Sequence, residues 1–387
     1  MDITIQPGIL RGSVTVIPSK SQAHRLLICA AFADSRTNLI CQESNRDIEA
    51  TADCLNALGA AIERTPDGYS IDPISKIPGR AVLNCCESGS TLRFLLPIVG
   101  ALGIDGVFQM EGRLPQRPLS PLWEEMERMG CRLSRPSENT IRCEGKLRCG
   151  KYVIDGSVSS QFITGLLFAL SLIGDSCLEI TGKTESKPYI EMTKAAMALF
   201  TAPNYHTPGC IEVEGDWSNG AFWLAAQTLG NSIEVSNLKP DSSQGDRAAA
   251  GILPALEENI TVDASDIPDL VPILSVVAAA KKGAVFTNIR RLRLKESDRV
   301  ATVMEMIRNL GGRAEATEDT LTVYGTGLIG GIVNSYNDHR IAMAAAIAAT
   351  VCKEPVAVIG AEAVKKSYPK FWDEYVQLGG HYEQYLR

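Results

Sequence analysis

Six times along the chain a β-rich run gives way to a short polar or glycine-bearing turn and then to an apolar helix rich in Ala and Leu. The openings are "PSKSQAHRLLICAAFA", "CESGSTLRFLLPIVGALG", "GSVSSQFITGLLFALSLIG", "EGDWSNGAFWLAAQTLG", "SDIPDLVPILSVVAAA" and "SYNDHRIAMAAAIAAT". They recur at intervals of roughly 50–70 residues, longer than a solenoid repeat and suited to a small α/β unit. A second helix follows in each unit, from "DIEATADCLNALG" to "SYPKFWDEYVQLGG". Four of these close on Gly59, Gly130, Gly311 and Gly379, where glycine supplies a left-handed cap. After three of them comes a strand, a polar turn and another strand, as in "CRLSRPSENTIRCEG". Each unit therefore reads βαβαββ. A chain of 387 residues exceeds one ordinary core, so the six units divide into two α/β domains of three each.

Composition narrows the function. The formal charge of −7 argues against nucleic-acid and membrane-surface partners, which select a basic excess. Eleven scattered cysteines without a CxxC pair read as reduced thiols of a cytoplasmic protein. The N-terminus "MDITIQPGIL" lacks the basic and apolar regions of a signal peptide, and "LVPILSVVAAA" is too short to cross a bilayer.

Helix N-termini carry unpaired N–H groups and partial positive charge, and six of them brought together would suit anions. Basic residues crowd these entrances, and some interrupt apolar helices: Arg93 in "STLRFLLPIVGAL", Arg340 in "NDHRIAMAAAIAA". A buried arginine is costly unless it meets an anion, whether an internal carboxylate or a ligand. Asp269 in "DIPDLVPIL" reads as an N-cap or as a general base held near a lysine. Glu296 in "RLRLKESDRV" stands three residues before Arg299, spaced for an ion pair. His24 and His339 belong to no HxxH or HExxH pattern, and there is no P-loop, GxGxxG or GxSxG signature. The residues alone point to a site without metal or cofactor for small, highly anionic molecules, placed in a cleft between the domains.

Nine segments in order carry a more specific likeness: "PSKSQAHR", "SGSTLRF", "RLPQRPLSPL", "DGSVSSQF", "ESKPYIEMT", "DIPDL", "LKESDR", "NDHRIAM" and "KKSYPKFW". Together they resemble the enolpyruvyl transferases over essentially the whole chain, and specifically the branch acting on shikimate 3-phosphate. The resemblance implies two domains of three βαβαββ units with two hinge crossovers, one domain spanning residues 19–228 and the other 1–18 plus 229–387. It implies transfer of the enolpyruvyl group of phosphoenolpyruvate to the 5-hydroxyl of shikimate 3-phosphate, by addition and elimination, in a monomer.

By the same resemblance Lys20, Ser21 and Arg25 would hold shikimate 3-phosphate, with Lys20 also touching phosphoenolpyruvate and counted with the catalytic groups. Ser159, Ser160, Ser186 and Lys295 would grip the 3-phosphate and ring, with Gln161 and Tyr189 beside them and Gln161 reaching phosphoenolpyruvate. Asp269 would bind ring hydroxyls and accept a proton, and Glu296 would shuttle one at the methylene. Arg93, Arg117, Arg299, Arg340 and Lys366 would surround phosphoenolpyruvate, with His339 near that shell and the backbone of Gly89 lining the pocket. The family's usual Asn-Ala-Gly-Thr-Ala-x-Arg-Pro run is here Glu87 to Phe94, with Ser90 and Thr91 inside it. By the resemblance that departure abuts the phosphoenolpyruvate pocket and bears on sensitivity to glyphosate, the family's inhibitor. Two alternatives share the scaffold: a UDP-N-acetylglucosamine enolpyruvyl transferase, which carries a loop cysteine that "GRLPQRPLSPL" lacks, and a non-catalytic anion-binding protein.

Overall fold

The computed structural model describes residues 1–385. The chain packs as two compact units, one of residues Pro18–Glu214 and one of Met1–Ile17 together with residues from Gly215 onward. We call them the inserted and the split unit; each has its own apolar core.

The inserted unit carries helices α1 (Lys20–Ala31), α2 (Arg46–Ala57), α3 (Gly89–Leu102), α4 (Leu122–Arg128), α5 (Ser160–Ile173) and α6 (Lys187–Leu199). The split unit carries α7 (Trp217–Thr228), α8 (Ala249–Ala255), α9 (Val271–Ala280), α10 (Arg299–Asn309), α11 (His339–Ala349) and α12 (Phe371–Gln377). Helices apolar on every side belong in a core, and α11 is buried at every residue from His339 to Ala349. Such helices have room for polar groups only at their first turn. Gly59, Gly130, Gly311 and Gly379 close α2, α4, α10 and α12 at φ of +107°, +116°, +84° and +90°, as the sequence predicts.

The repeat is visible in the sheets. Arg80–Asn84 pairs in parallel with Asp105–Gln109, which pairs antiparallel with Thr140–Gly145, and that with Cys131–Ser137. The same order recurs in the split unit with Ile260–Asp263, Gly283–Thr287, Thr320–Tyr324 and Arg313–Ala316. Two further sheets complete the pattern with a strand from a distant part of the chain: Cys210–Glu212 beside Thr37–Ile40, and Asp2–Gln6 between Val356–Ile359 and His381–Tyr385. The remaining two units keep only their parallel pair, Lys151–Asp155 with Cys177–Thr181 and Arg11–Thr15 with Ser232–Ser236. In the second of these chain length is the cause: α8 ends at Ala255 and the next strand begins at Ile260, too close for a strand pair.

Two glycines set close approaches near the helix entrances. A Cβ on Gly165 of α5 would stand 2.2 Å from the carbonyl oxygen of Arg93, so α3 and α5 touch backbone to side. A Cβ on Gly89 would stand 2.7 Å from Arg117 Nη1 and 3.0 Å from Arg93 Nη1, so two guanidiniums lie against bare backbone at the start of α3.

Candidate active site

In the inserted unit side chains tie the start of α1 to that of α2 and the start of α3 to that of α5. Lys20, first residue of α1, pairs with Asp47 of α2 at 3.0 Å. Arg93 of α3 donates to Gln161 Oε1 of α5 at 2.7 Å, and Gln161 Nε2 donates back to Ser90 Oγ at 3.0 Å. Arg93 also donates to the Pro118 carbonyl at 3.1 Å and lies over the Phe162 ring. Ser19, Ser88 and Ser159 cap α1, α3 and α5 through their hydroxyls. Ser160 opens α5 and Ser186, in the left-handed region at φ +53°, precedes α6. A carboxylate or phosphate placed here would meet helix N-termini and guanidiniums at once.

Arg25 is buried, and its guanidinium is largely occupied by protein. It donates to Thr193 Oγ1 at 2.8 Å, the Ser21 carbonyl at 2.6 Å, the Tyr189 carbonyl at 3.0 Å and Thr164 Oγ1 at 3.3 Å. Burial brings its pKa down to about 10, opposed by Tyr189 and Cys29. The structure thus gives Arg25 the task of fastening Ser21 and Tyr189.

The split unit gathers charge at the first turns of α10 and α11 and at the turn before α9. Arg299 is only 1% exposed and meets three carboxylates: Asp338 through Nε at 2.8 Å, Asp269 through Nη1 at 2.6 Å and Glu296 through Nη2 at 2.8 Å. Burial alone would lower its pKa, but Asp338, Glu296 and Asp269 outweigh it and lock the charge on. Asp269 also receives Lys295 at 3.3 Å and Arg340 at 3.2 Å. Its partial burial pushes the carboxyl upward, yet Arg340, Lys295 and Arg299 together hold it well below the usual carboxylate range. Lys295 moves down, chiefly from burial, with Asp269 resisting. Lys366 Nζ donates to the Asn337 carbonyl at 2.9 Å, and His339 is the buried first residue of α11.

These contacts decide two sequence alternatives. Asp269 is no N-cap: Leu270 occupies that position without a side-chain bond, and the carboxylate goes to cations. Glu296 does form the ion pair with Arg299 that its spacing suggested. Other members of the network escaped the sequence reading. Asp338 is wholly buried, caps α11 and accepts from Arg299 and from Ser297 Oγ at 2.9 Å. Its signal was the Asp before an apolar helix in "NDHR", visible only as a cap. Asp246, in "SQGDR", is buried and takes a short bond from Ser218 Oγ at the start of α7. Burial first, then the neighbouring Asp269, pushes its pKa up to about 6 against Arg340 and Ser218.

Among the described residues no group of three or more His, Cys, Asp or Glu is placed to hold a metal ion, and no helix is long and apolar enough to cross a membrane.

Two α/β units whose buried helices meet charge at their first turns make a scaffold for polyanionic small molecules, and solved structures carry the same fold. An EPSP synthase from Acinetobacter baumannii superposes with a TM-score of 0.78 at 22% identity, covering 99% of this chain and all of that one. The family model for EPSP synthase (3-phosphoshikimate 1-carboxyvinyltransferase) matches residues 5–266 and 254–375. Relatives named 3-phosphoshikimate 1-carboxyvinyltransferase include one from Clostridium kluyveri, 37% identical with 99% of this chain and 98% of the relative covered. Another, from Clostridium acetobutylicum, is 38% identical with 98% and 97% covered. The chain belongs to the EPSP synthase family. It is a transferase that moves the enolpyruvyl group of phosphoenolpyruvate to shikimate 3-phosphate in aromatic biosynthesis, and the UDP-sugar alternative is not favoured.

Proposed function

We propose that the two sets of residues act on one pair of substrates, each set contributing to both. Lys20, Ser21, Ser159, Ser160, Gln161, Ser186, Tyr189 and Lys295 hold shikimate 3-phosphate, with Arg25 fixing Ser21 and Tyr189 from behind. Gly89, Arg93, Arg117, Gln161, Arg340 and Lys366 hold the carboxylate and phosphate of phosphoenolpyruvate, with Lys20, Arg299 and His339 supporting. The reading rests above all on Asp269, a single carboxylate bridged by Lys295, Arg299 and Arg340.

Addition joins the 5-oxygen to C2 of phosphoenolpyruvate; Asp269 takes the hydroxyl proton while Glu296 delivers a proton to C3. Elimination returns the C3 proton to Glu296 and breaks the C2–O bond to phosphate, which leaves with the proton that Asp269 had taken. Positioned acid and base groups of this kind contribute about 10²–10⁴-fold each. Every chain carries both sets, so a monomer suffices, and eleven free thiols suit a reducing cytoplasm.

Phosphate release from purified protein tests the reading. Release should need phosphoenolpyruvate and shikimate 3-phosphate together and persist in a chelator. Release with UDP-N-acetylglucosamine instead would assign the chain to the other branch.

A further inference from the structure

Behind the first turn of α3 a file of four buried side chains runs through the inserted unit. His24 Nδ1 lies 2.7 Å from Thr51 Oγ1, Thr51 Oγ1 lies 2.7 Å from Thr91 Oγ1, and Thr91 donates to Ser88 Oγ at 2.7 Å. None of the four is more than 1% exposed. The file crosses from α1 through α2 to α3 and ends on the cap of α3, where Ser88 Oγ also accepts the Thr91 N–H at 3.2 Å.

A hydroxyl has one proton to give, and this fixes the direction of every bond. The Thr91 proton goes to Ser88, so Thr91 accepts from Thr51, and Thr51 accepts from His24. His24 is therefore an Nδ1–H donor. Its Nε2 has no hydrogen-bond partner among the described residues, and the ring meets Phe94 edge-on. Burial, with Lys20 and Arg25 adding to it, holds the ring's pKa well below 6.5.

We propose that His24 is a positioning residue for phosphoenolpyruvate: through Thr51 and Thr91 it holds Ser88 and the first turn of α3, with Gly89 and Arg93, in register with α1. This rests on the assignment of that turn to phosphoenolpyruvate. His24 touches no substrate in this role. It acts because the file has no slack: each member is buried, and the hydroxyls of Thr51 and Thr91 each donate and accept at once. An apolar break at Thr51 leaves the His24 N–H without an acceptor and the Thr91 oxygen without a donor, and the turn shifts to find them. Displacements of about 1 Å at a binding group are enough to cost large factors in rate.

Steady-state kinetics with each substrate varied test it. Thr51→Val keeps shape and deletes the hydroxyl; it should raise KM for phosphoenolpyruvate roughly tenfold, the size of one lost buried hydrogen bond, and move KM for shikimate 3-phosphate less than about twofold. Thr51→Ser should restore both. His24→Asn puts an amide N–H where Nδ1–H stands and should stay near the parent, whereas His24→Gln carries its amide out to the Nε2 position and should behave like T51V. Both histidine variants lose the ring, so equal behaviour would make His24 mere packing and overturn the proposal. So would an unchanged KM for phosphoenolpyruvate in T51V, or equal rises for both substrates. If T51V does not fold, the histidine pair decides. Gly89→Ala separates the underlying assignment: if it leaves KM for phosphoenolpyruvate unchanged, the turn is not that site. If G89A raises it and T51V does not, only the file is refuted.

Discussion

Asp338→Asn asks whether Arg299 is held by charge or by shape. The Asp338 carboxylate accepts from Arg299 Nε at 2.8 Å and Nη2 at 3.3 Å, from Ser297 Oγ at 2.9 Å and from the Arg340 N–H at 3.0 Å. Asparagine is nearly the same size and caps a helix as well as aspartate does. The cap of α11 therefore survives, and what disappears is a negative charge against a wholly buried guanidinium. Breaking a buried ion pair from one side costs about 3–5 kcal/mol. Arg299 keeps Asp269 and Glu296, so the lower end applies. At roughly 2–4 °C per kcal/mol for a unit of 150–250 residues, a loss of about 3 kcal/mol lowers the melting temperature by about 6–12 °C.

The pH dependence carries the sign. Burial pushes the Asp338 carboxyl up, but Arg299 prevails and its folded pKa lies below the ordinary 3.8. Such a group stabilises the fold at every pH above its unfolded value and loses that contribution as pH falls through the folded one. The deficit of D338N should thus be constant between about pH 5 and 8 and begin to close only below 3.8. Calorimetry across pH measures it, and hydrogen exchange should place the lost protection in α10 and α11 while α1, α3 and α5 keep theirs. A shift under about 3 °C, or a deficit that closes near pH 6, would refute the charge argument.

Asp269→Asn should lower kcat by about 10²–10⁴-fold with the fold intact by circular dichroism; a loss under about tenfold would remove Asp269 as the proton acceptor. Asp246→Asn should act in the opposite pH sense to D338N. A carboxyl raised to about 6 in the fold costs stability that grows as pH rises from 3.8 through 6, so the variant should gain over the parent above pH 6 and match it near pH 4 in urea melts. Gly165→Ala would set a Cβ 2.2 Å from the Arg93 carbonyl. It should cost about 1–3 kcal/mol by overpacking α3 against α5 and weaken phosphoenolpyruvate binding through Arg93; neutrality in both readouts would mean the helices part freely.

What could be read from the sequence was whatever violated the apolar pattern. Arg93 and Arg340 stood out because a guanidinium inside a core helix is costly unless it meets an anion; Arg340 does meet Asp269, while Arg93 donates to Gln161 and the Pro118 carbonyl. The C-cap glycines stood out because only a left-handed residue ends a helix so abruptly. Asp338 and Asp47 did not stand out, because Asp is ordinary at a helix start, and Thr193 did not because a lone threonine inside a helix is ordinary too; their partners lie far along the chain. Thr51 meets His24 27 residues away and Thr91 40 residues away, and only the packing of three helices brings them together. The absent strand pairs after α6 and α8 were hidden for a different reason: a repeat predicts its own completion, and only the space left between elements shows where it is cut short.

If Asp269 is the base proposed above, its arrangement gives a reason for keeping a base among so many cations. A carboxylate bound to Lys295, Arg299 and Arg340 is a poor proton acceptor, since each cation favours its ionised form. In the proposed mechanism phosphoenolpyruvate brings a carboxylate and a phosphate to Arg340, and shikimate 3-phosphate brings a second phosphate to Lys295. Each anion competes with Asp269 for its partner and offsets the field that held its pKa down. The carboxylate becomes basic only when both substrates are seated, which is when the 5-hydroxyl is there to be deprotonated. With phosphoenolpyruvate alone, Lys295 still holds Asp269 and no base is free to activate water. In that mechanism three cations on one carboxylate would act as a lock requiring two anions to open it, and the same pairing would suppress the wasteful hydrolysis of phosphoenolpyruvate.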